Sequence, residues 1–125
     1  MNPADLFDHD PAPLLLAEGE ALFHEGDEGC DCMYVLVDGT ADVLVGDVPV
    51  ENSTRGALFG EMALIDSSPR AATVIATSPC RLTKIDQRRF HFLVRQTPNF
   101  ATHVMKVLAQ RLKKMNAMSR SPVSS

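Results

Sequence analysis

The chain has no long apolar run and no basic N-terminal segment. Its longest uninterrupted apolar run near the start covers residues 14–17, whereas a membrane-spanning helix needs about 20 apolar residues. Acidic residues stand at positions 5, 8 and 10, where a secretory signal peptide would carry positive charge. We therefore predict neither a signal peptide nor a membrane span, and we expect a cytoplasmic protein.

Cysteine is scarce and odd in number, with Cys30, Cys32 and Cys80. An odd count without a secretory signal argues against a disulfide framework. Cys30 and Cys32 are close enough to share a metal ion, but no second pair of cysteines or histidines stands at a matching spacing. We therefore expect three ordinary thiols and no metal site.

Catalytic motifs are also missing. The four histidines are scattered, and the chain has neither a nucleophile elbow nor a P-loop. The 125 residues suffice for one hydrophobic core, and 45% hydrophobic with 22% charged residues is typical of a soluble globular domain. We expect a single binding domain that is not an enzyme and has no cofactor apart from its ligand.

Charge of each sign is scarce in one half of the chain. Residues 1–66 hold fifteen acids and only one base, whereas residues 67–125 hold eleven bases and only one acid. The basic half could bind nucleic acid, an anionic membrane or an acidic partner. It could equally dock on the acidic half of the same molecule. We favour the second interpretation, because no aromatic or arginine-rich cluster interleaves the basic residues.

Glycine is absent after residue 60, and all seven glycines lie at or before it. Glycine supplies the positive φ angles of tight turns, so this part is predicted to be turn-rich β structure. An Asp-Gly turn at 38–39 predicts a hairpin between strands 33–37 and 40–45. The other predicted strands cover residues 14–17, 21–23, 48–50, 72–76 and 80–85.

The hydrophobic period then changes to that of helices. Asp86 is a good N-cap for a helix over residues 87–96, and Pro98 starts a second helix over residues 99–119. One apolar stripe runs along the second helix: Phe100, Val104, Val107, Leu108, Leu112 and Met115. This stripe is predicted to pack on the core in one part and to form a dimer seam or a lid in the other.

These elements predict a mainly β fold with α-helices, an antiparallel jelly-roll barrel with two helices at its C-terminal end. Residues 1–13 are expected to form an irregular arm with one helical turn at residues 4–7. The single domain is expected to cover residues 14–119. Residues 120–125 are expected to be disordered.

Residues 59–74, FGEMALIDSSPRAATV, break the β pattern with one short helical turn. A helix N-terminus at Gly60 offers unpaired backbone N–H groups, which favour a phosphate. Arg70, held by the preceding proline, presents a planar fork that matches phosphate oxygens. Glu61 is costly beside a phosphate unless it accepts hydrogen bonds, as it would from a sugar hydroxyl. The residues therefore predict a site for phosphate and ribose.

Residues 59–76 resemble the phosphate-binding cassette of cyclic nucleotide-binding domains, such as those of protein kinase A regulatory subunits, cyclic-nucleotide-gated channels and the catabolite activator protein. The glycine framework GEALFHEGDEG at 19–29, followed by MYVL and Gly39, is similar as well. The resemblance covers about residues 14–118. The match to the phosphate-binding cassette is a specific signal, because many residues agree with the family pattern at the same time.

The resemblance implies a role for each matching position. Arg70 would hold the cyclic phosphate, Glu61 would accept from the ribose 2′-hydroxyl, and the backbone near Ala63 and Ala71 would complete the phosphate cage. Alanine after the arginine favours cAMP, whereas threonine there accompanies cGMP binding. The full set of predicted ligand-binding residues is Gly60, Glu61, Met62, Ala63, Arg70 and Ala71, with Arg111 or Met115 as a possible cap on the purine.

The implied function is a cAMP-preferring sensor domain that signals by moving its last helix. The alternatives are a ligand-free interaction module of the same fold, in which Glu61 and Arg70 pair with each other, or the excised sensor domain of a Crp/Fnr-type transcription regulator or channel. We expect an effector protein in trans or a missing output domain, a possible homodimer through the last helix, and no direct DNA binding.

Overall fold

The computed structural model describes residues 2–29, 31–62 and 68–119. Within these ranges the chain forms a short 3₁₀ helix, eight strands and two α-helices. The 3₁₀ helix is Pro3–Phe7; the strands are β1 Leu14–Leu16, β2 Ala21–Phe23, β3 Cys32–Asp38, β4 Ala41–Val45, β5 Val48–Ser53, β6 Leu58–Phe59, β7 Thr73–Ala76 and β8 Cys80–Asp86; the helices are α1 Gln87–Gln96 and α2 Pro98–Ser119.

The strands form two four-stranded antiparallel sheets, in the orders β1-β8-β3-β6 and β2-β7-β4-β5. The first two strands therefore lie beside the last two. Leu36 of β3 and Val74 of β7 belong to one buried cluster, so the sheets pack face to face. The predicted antiparallel β-roll with C-terminal helices is confirmed.

One predicted hairpin is wrong. Strands β3 and β4 follow each other in the chain but belong to different sheets, so the Asp-Gly turn carries the chain across the core. Gly39 has a φ of +100°, and a Cβ atom there would collide with the backbone of Pro79. The turn residues predicted a sharp reversal correctly, but they did not specify which strand pairs with which.

Strand β3 is buried on both faces. Its residues Met33, Val35 and Val37 pack with Phe100 and the other helical residues of one cluster. Leu36, whose side chain alternates with those of Val35 and Val37 along the strand, packs in the space between the two sheets. The strand therefore separates two apolar layers, one between the sheets and one beneath the helices.

The N-terminal arm packs on this second layer. Asn2 caps its 3₁₀ helix by accepting a hydrogen bond from the Ala4 amide at 2.9 Å. Phe7 is buried and meets the Phe100 ring edge to face, with 6.3 Å between centroids. Arg55 donates to Asp8 at 2.8 Å and ties the helix to the loop before β6. The predicted helical turn is therefore present, and the arm contributes to the core.

Both C-terminal helices follow their predicted positions closely. Asp86 caps α1 by accepting from the Arg89 amide at 2.8 Å. Helix α2 begins at Pro98, one residue earlier than predicted. Along its apolar stripe Phe100 and Val104 are buried, whereas Leu112 is 59% exposed. The stripe therefore covers the core in its first half only. The tail at 120–125 lies outside the described residues.

Among the described residues, three arginines of the basic half form ion pairs with acids of the other half. Arg81 binds Asp38 at 2.6 Å and Arg89 lies 4.0 Å from Asp10, and Arg111 pairs with Glu61. These contacts support the interpretation that much of the basic half docks on the same molecule.

The cysteines differ from expectation at one position. Cys32 forms a disulfide bond, so the prediction of three ordinary thiols is wrong there. An odd number of cysteines argues against a framework of several disulfide bonds, but it does not exclude one such bond. Cys80 is free and buried, and burial raises the pKa of its thiol. Cys30 lies outside the described residues.

Two features are absent from the described residues. None of their helices combines the length and apolar character that crossing a membrane requires. No group of three or more histidine, cysteine or acidic side chains among them is arranged to hold a metal ion.

Candidate ligand-binding site

A cavity of about 490 Å³ lies where the second sheet, residues 60–62 and 68–72, and helix α2 meet. Its size falls within the usual range for sites that bind small molecules. Most of its wall is apolar: Phe23, Val43, Val45, Val50, Phe59 and Val74. Its positively charged side chains stand at two places, with Arg70 in the 68–72 turn and Arg111 and Lys114 on α2.

Arg70 is 5% exposed, although it carries a full charge. Its guanidinium stacks on the Phe23 ring at 4.3 Å and lies 5.9 Å from the centroid of Tyr34. Its Nη1 donates to the carbonyls of Gly60 at 3.4 Å and Cys32 at 3.5 Å, which are long hydrogen bonds. Stacking on the two aromatic rings therefore helps to orient the guanidinium fork.

The backbone around Arg70 is held by short hydrogen bonds to the loop after β2. Its amide donates to the Asp27 carbonyl at 2.8 Å, and its carbonyl accepts from the Gly26 amide at 2.8 Å. The Thr73 hydroxyl accepts from the Glu25 amide at 2.8 Å. The glycine-bearing turn after β2 thus fixes the arginine turn in place.

Gly60 lies directly against this guanidinium. Its φ is +76°, and a Cβ atom there would collide with Arg70 Nη1. Any other residue would both strain the backbone and displace the arginine. Glycine is therefore required here by close approach as well as by the turn.

Glu61 is the buried acid of the site, with 3% of its surface exposed. Its Oε1 accepts from Arg111 Nη1. Its Oε2 is buried and has no hydrogen-bond partner among the described residues. A buried carboxylate oxygen without a donor is unfavourable, so Oε2 is a ready acceptor for a hydroxyl group of a ligand.

The alternative pairing of Glu61 with Arg70 is not what forms. Within the described part of the chain, the ion pair of Glu61 is with Arg111 of α2. Arg111 also donates to the Leu58 carbonyl at 2.7 Å, and it lies 3.5 Å from the Glu51 carboxylate. One end of the cavity is therefore closed by a side chain of the last helix.

The other predicted site residues divide into two groups. Met62, which is 41% exposed, and Ala71 both line the cavity. Ala63 lies outside the described residues, and so does the side chain of Met115. Of the two candidate purine caps, the structure thus places Arg111 at the cavity.

Sequence reasoning missed several residues at the site. Phe23 and Tyr34 orient Arg70, and Phe23 stood in the quoted glycine framework without an assigned role. Lys114 lines the cavity and donates to the Val50 carbonyl at 3.0 Å. Its position three residues after Arg111 puts both on one helix face, and that spacing was the available signal.

Comparison with known families now identifies the class of protein. The family model described as the cyclic nucleotide-binding domain matches residues 13–97. The chain belongs to this family.

Individual relatives agree with this membership. A cAMP-dependent protein kinase regulatory subunit from Yarrowia lipolytica is 43% identical over 72 residues, which are 58% of this chain. The match spans only 19% of that protein's length. The catabolite activator protein of Thermus thermophilus is similar in structure, with a TM-score of 0.73, 25% identity, and coverage of 86% of this chain and 52% of that one.

A third relative is similar over nearly its whole length. It belongs to a cyclic-GMP-dependent signalling pathway that regulates bacterial phytopathogenesis. The TM-score is 0.74 at 26% identity, with coverage of 91% of this chain and 95% of that one. These likenesses confirm the predicted family and the β-roll fold.

Proposed function

We propose that the cavity binds a cyclic nucleotide, with cAMP preferred over cGMP, and that α2 transmits its occupancy. The observation that carries this proposal is the arrangement of Arg70 and Glu61 along one apolar cavity. A buried cationic fork and a buried carboxylate oxygen that has no donor among the described residues suit a ligand with both an anion and a hydroxyl group.

Arg70 would bind the cyclic phosphate. Phosphate oxygens match its planar donor fork in short, charge-assisted hydrogen bonds. The aromatic ring of Phe23, 4.3 Å from the guanidinium carbon, would keep the fork in place. Backbone amides near Ala71 would supply further donors, as the family resemblance implies.

Glu61 would bind the ribose. Oε2 needs one donor, and the 2′-hydroxyl of a cyclic nucleotide is the donor nearest to its phosphate. This contact leaves the Arg111 ion pair on Oε1 intact. The same carboxylate would therefore touch both the ligand and the last helix.

The preference for cAMP is supported by Ala71, which lines the cavity without a polar group. Guanine carries a 2-amino donor that adenine lacks, and an alanine cannot accept from it. The kinase regulatory subunit from Yarrowia lipolytica is named as cAMP-dependent. The relative from the cyclic-GMP pathway makes cGMP the necessary competitor in any assay.

Signalling through α2 is supported by how this helix is attached. Its first half packs on the core through Phe100 and Val104, while its second half is held at the cavity by Arg111 and Lys114. A ligand shifts such a helix only if it binds one arrangement more tightly than the other. A ligand hydroxyl bound to Glu61 would provide this difference in affinity, because Glu61 also pairs with Arg111 of α2. An effector protein in trans or a further domain would respond.

Isothermal titration calorimetry tests the binding step. The purified chain is titrated with cAMP, with cGMP and with adenosine, which lacks the phosphate. We expect saturable heat with cAMP, weaker binding of cGMP and no binding of adenosine. Absence of heat with both cyclic nucleotides would instead favour a ligand-free interaction module.

A further inference from the structure

Helix α1 exposes a face that the nucleotide site does not use. Arg88, His91, Phe92 and Arg95 follow one another at spacings of three, one and three, so they share one side of the helix. All four are exposed, and Phe92 is 61% exposed. The opposite side buries Leu93 in the core. We refer to these four residues as the α1 outer face.

The arginines of this face differ from other arginines of the basic half. Arg81, Arg89 and Arg111 each form an ion pair with an acid of the same chain. In the ranges that the structure describes, no ion pair includes Arg88 or Arg95. Intramolecular docking of the two charge halves therefore does not account for them.

We propose that the α1 outer face binds an acidic segment of a partner protein that also carries an apolar side chain. The guanidinium groups of Arg88 and Arg95 match carboxylates in bidentate geometry. Phe92 stands between them in sequence and offers an apolar surface to a leucine or an aromatic ring. Arginine and aromatic residues are enriched where protein interfaces gain most of their affinity.

The size and composition of the face favour a protein over other polyanions. A helix of ten residues is about 15 Å long and presents two arginines here. Nucleic-acid binding requires several phosphates to be neutralised together, and the fifteen acids of the first half oppose it. An interfacial membrane helix needs a broad apolar face, whereas Phe92 is the one large apolar side chain on this side.

Fluorescence anisotropy tests the proposal without any cyclic nucleotide. The probe is a labelled peptide that presents glutamates and leucines on one helical face, and its control replaces each glutamate with lysine. The chain is expected to bind the acidic peptide and not the basic one. The double change Arg88→Glu with Arg95→Glu should weaken binding about tenfold, and Phe92→Ala about fivefold.

Matched variants on α2 separate this face from overall charge. Lys106→Glu with Lys113→Glu gives the same change in net charge at exposed positions, and Met105→Ala removes an equally exposed apolar side chain. Both should leave peptide binding unchanged. Equal losses in both double variants, or no binding of the acidic peptide, would overturn the proposal.

Anionic vesicles and a single-stranded RNA are tested in the same assay. If either binds through Arg88, Phe92 and Arg95 while the peptide does not, the partner is not an acidic protein and the proposal is wrong. Because nucleotide binding is measured separately, these failures leave the proposed cAMP site unaffected.

Discussion

The two ends of the cavity hold their cations in different ways. Arg70 is 5% exposed, sits on a turn fixed by backbone hydrogen bonds to residues 26 and 27, and stacks on Phe23. Arg111 and Lys114 project from the half of α2 that lies beyond the core, where Leu112 is 59% exposed. The first end is built to keep one geometry, whereas the second depends on a helix position.

This difference suggests a division of labour. A turn whose backbone is hydrogen-bonded to residues 26 and 27 cannot move far without breaking those bonds, so it suits recognition of a fixed anion. The second half of α2 is attached by polar contacts of Arg111 and Lys114 rather than by buried core residues, which would suit a response to ligand. Glu61 lies between the two ends and contacts the helical one through Arg111.

The largest loss of cAMP affinity is expected at the Arg70 end of the cavity, which we call the fixed end. Replacing Arg70 with alanine should weaken cAMP binding about a hundredfold, because a bidentate charge-assisted contact is lost. Lys106→Ala removes an exposed positive charge elsewhere and should bind cAMP as the unmodified chain does. Calorimetry of both variants checks this, and equal affinity of the Arg70 variant would remove the phosphate assignment.

Glu61→Gln affects the link between the two ends. The amide keeps the shape of the side chain but removes the charge that accepts from Arg111 and from a ribose hydroxyl. We expect about a tenfold loss of cAMP affinity. Glu51→Gln removes the other carboxylate near Arg111 and should cost less. A larger loss at Glu51 would mean that Glu61 does not contact the ligand.

A smaller effect is expected on the selectivity between adenine and guanine. Ala71→Thr introduces a hydroxyl that can accept from the guanine 2-amino group, so cGMP should gain about fivefold relative to cAMP. Ala71→Val has the same shape without the hydroxyl and serves as the control. Competition binding gives the ratio, and an equal shift in both variants would trace it to size rather than hydrogen bonding.

The smallest effect lies outside the cavity, at the N-terminal arm. The hydrogen bond from Arg55 holds the pKa of Asp8 below its ordinary value. A lowered pKa means that the pair stabilises the fold at neutral pH and loses this effect as pH falls below about 4. Asp8→Asn should therefore lower Tm slightly at pH 7, and the difference should shrink as acidification protonates Asp8. A difference that stays constant on acidification would exclude this ion pair as its cause; Asp47→Asn is the control.

The fixed end could be predicted from sequence because its chemistry is local. Gly60, Glu61 and Arg70 lie within one short stretch, and their residue types restrict the turn and the ligand together. The two helices were predicted for the same reason, since Asp86 and Pro98 mark their starts. The resemblance to a known family supplied the role of each cassette residue.

The helical end of the cavity could not be predicted to the same extent. Lys114 and Glu51 both line the cavity because α2 lies against β5. The position of this helix relative to that strand cannot be predicted from residues that are neighbours in sequence. The period of the stripe predicted the buried face of α2 correctly, yet it could not show that the core ends before Leu112. Likewise, the Asp-Gly turn predicted a reversal but not that β3 and β4 belong to different sheets.

Hydrogen exchange of the chain with and without cAMP tests the contrast between the two ends most directly. We predict stronger protection at residues 60–62 and 70–72, a changed exchange rate along residues 108–119, and no change in β3 and β8. Protection confined to the first two segments, with α2 unchanged, would contradict the proposal that this helix responds to the ligand.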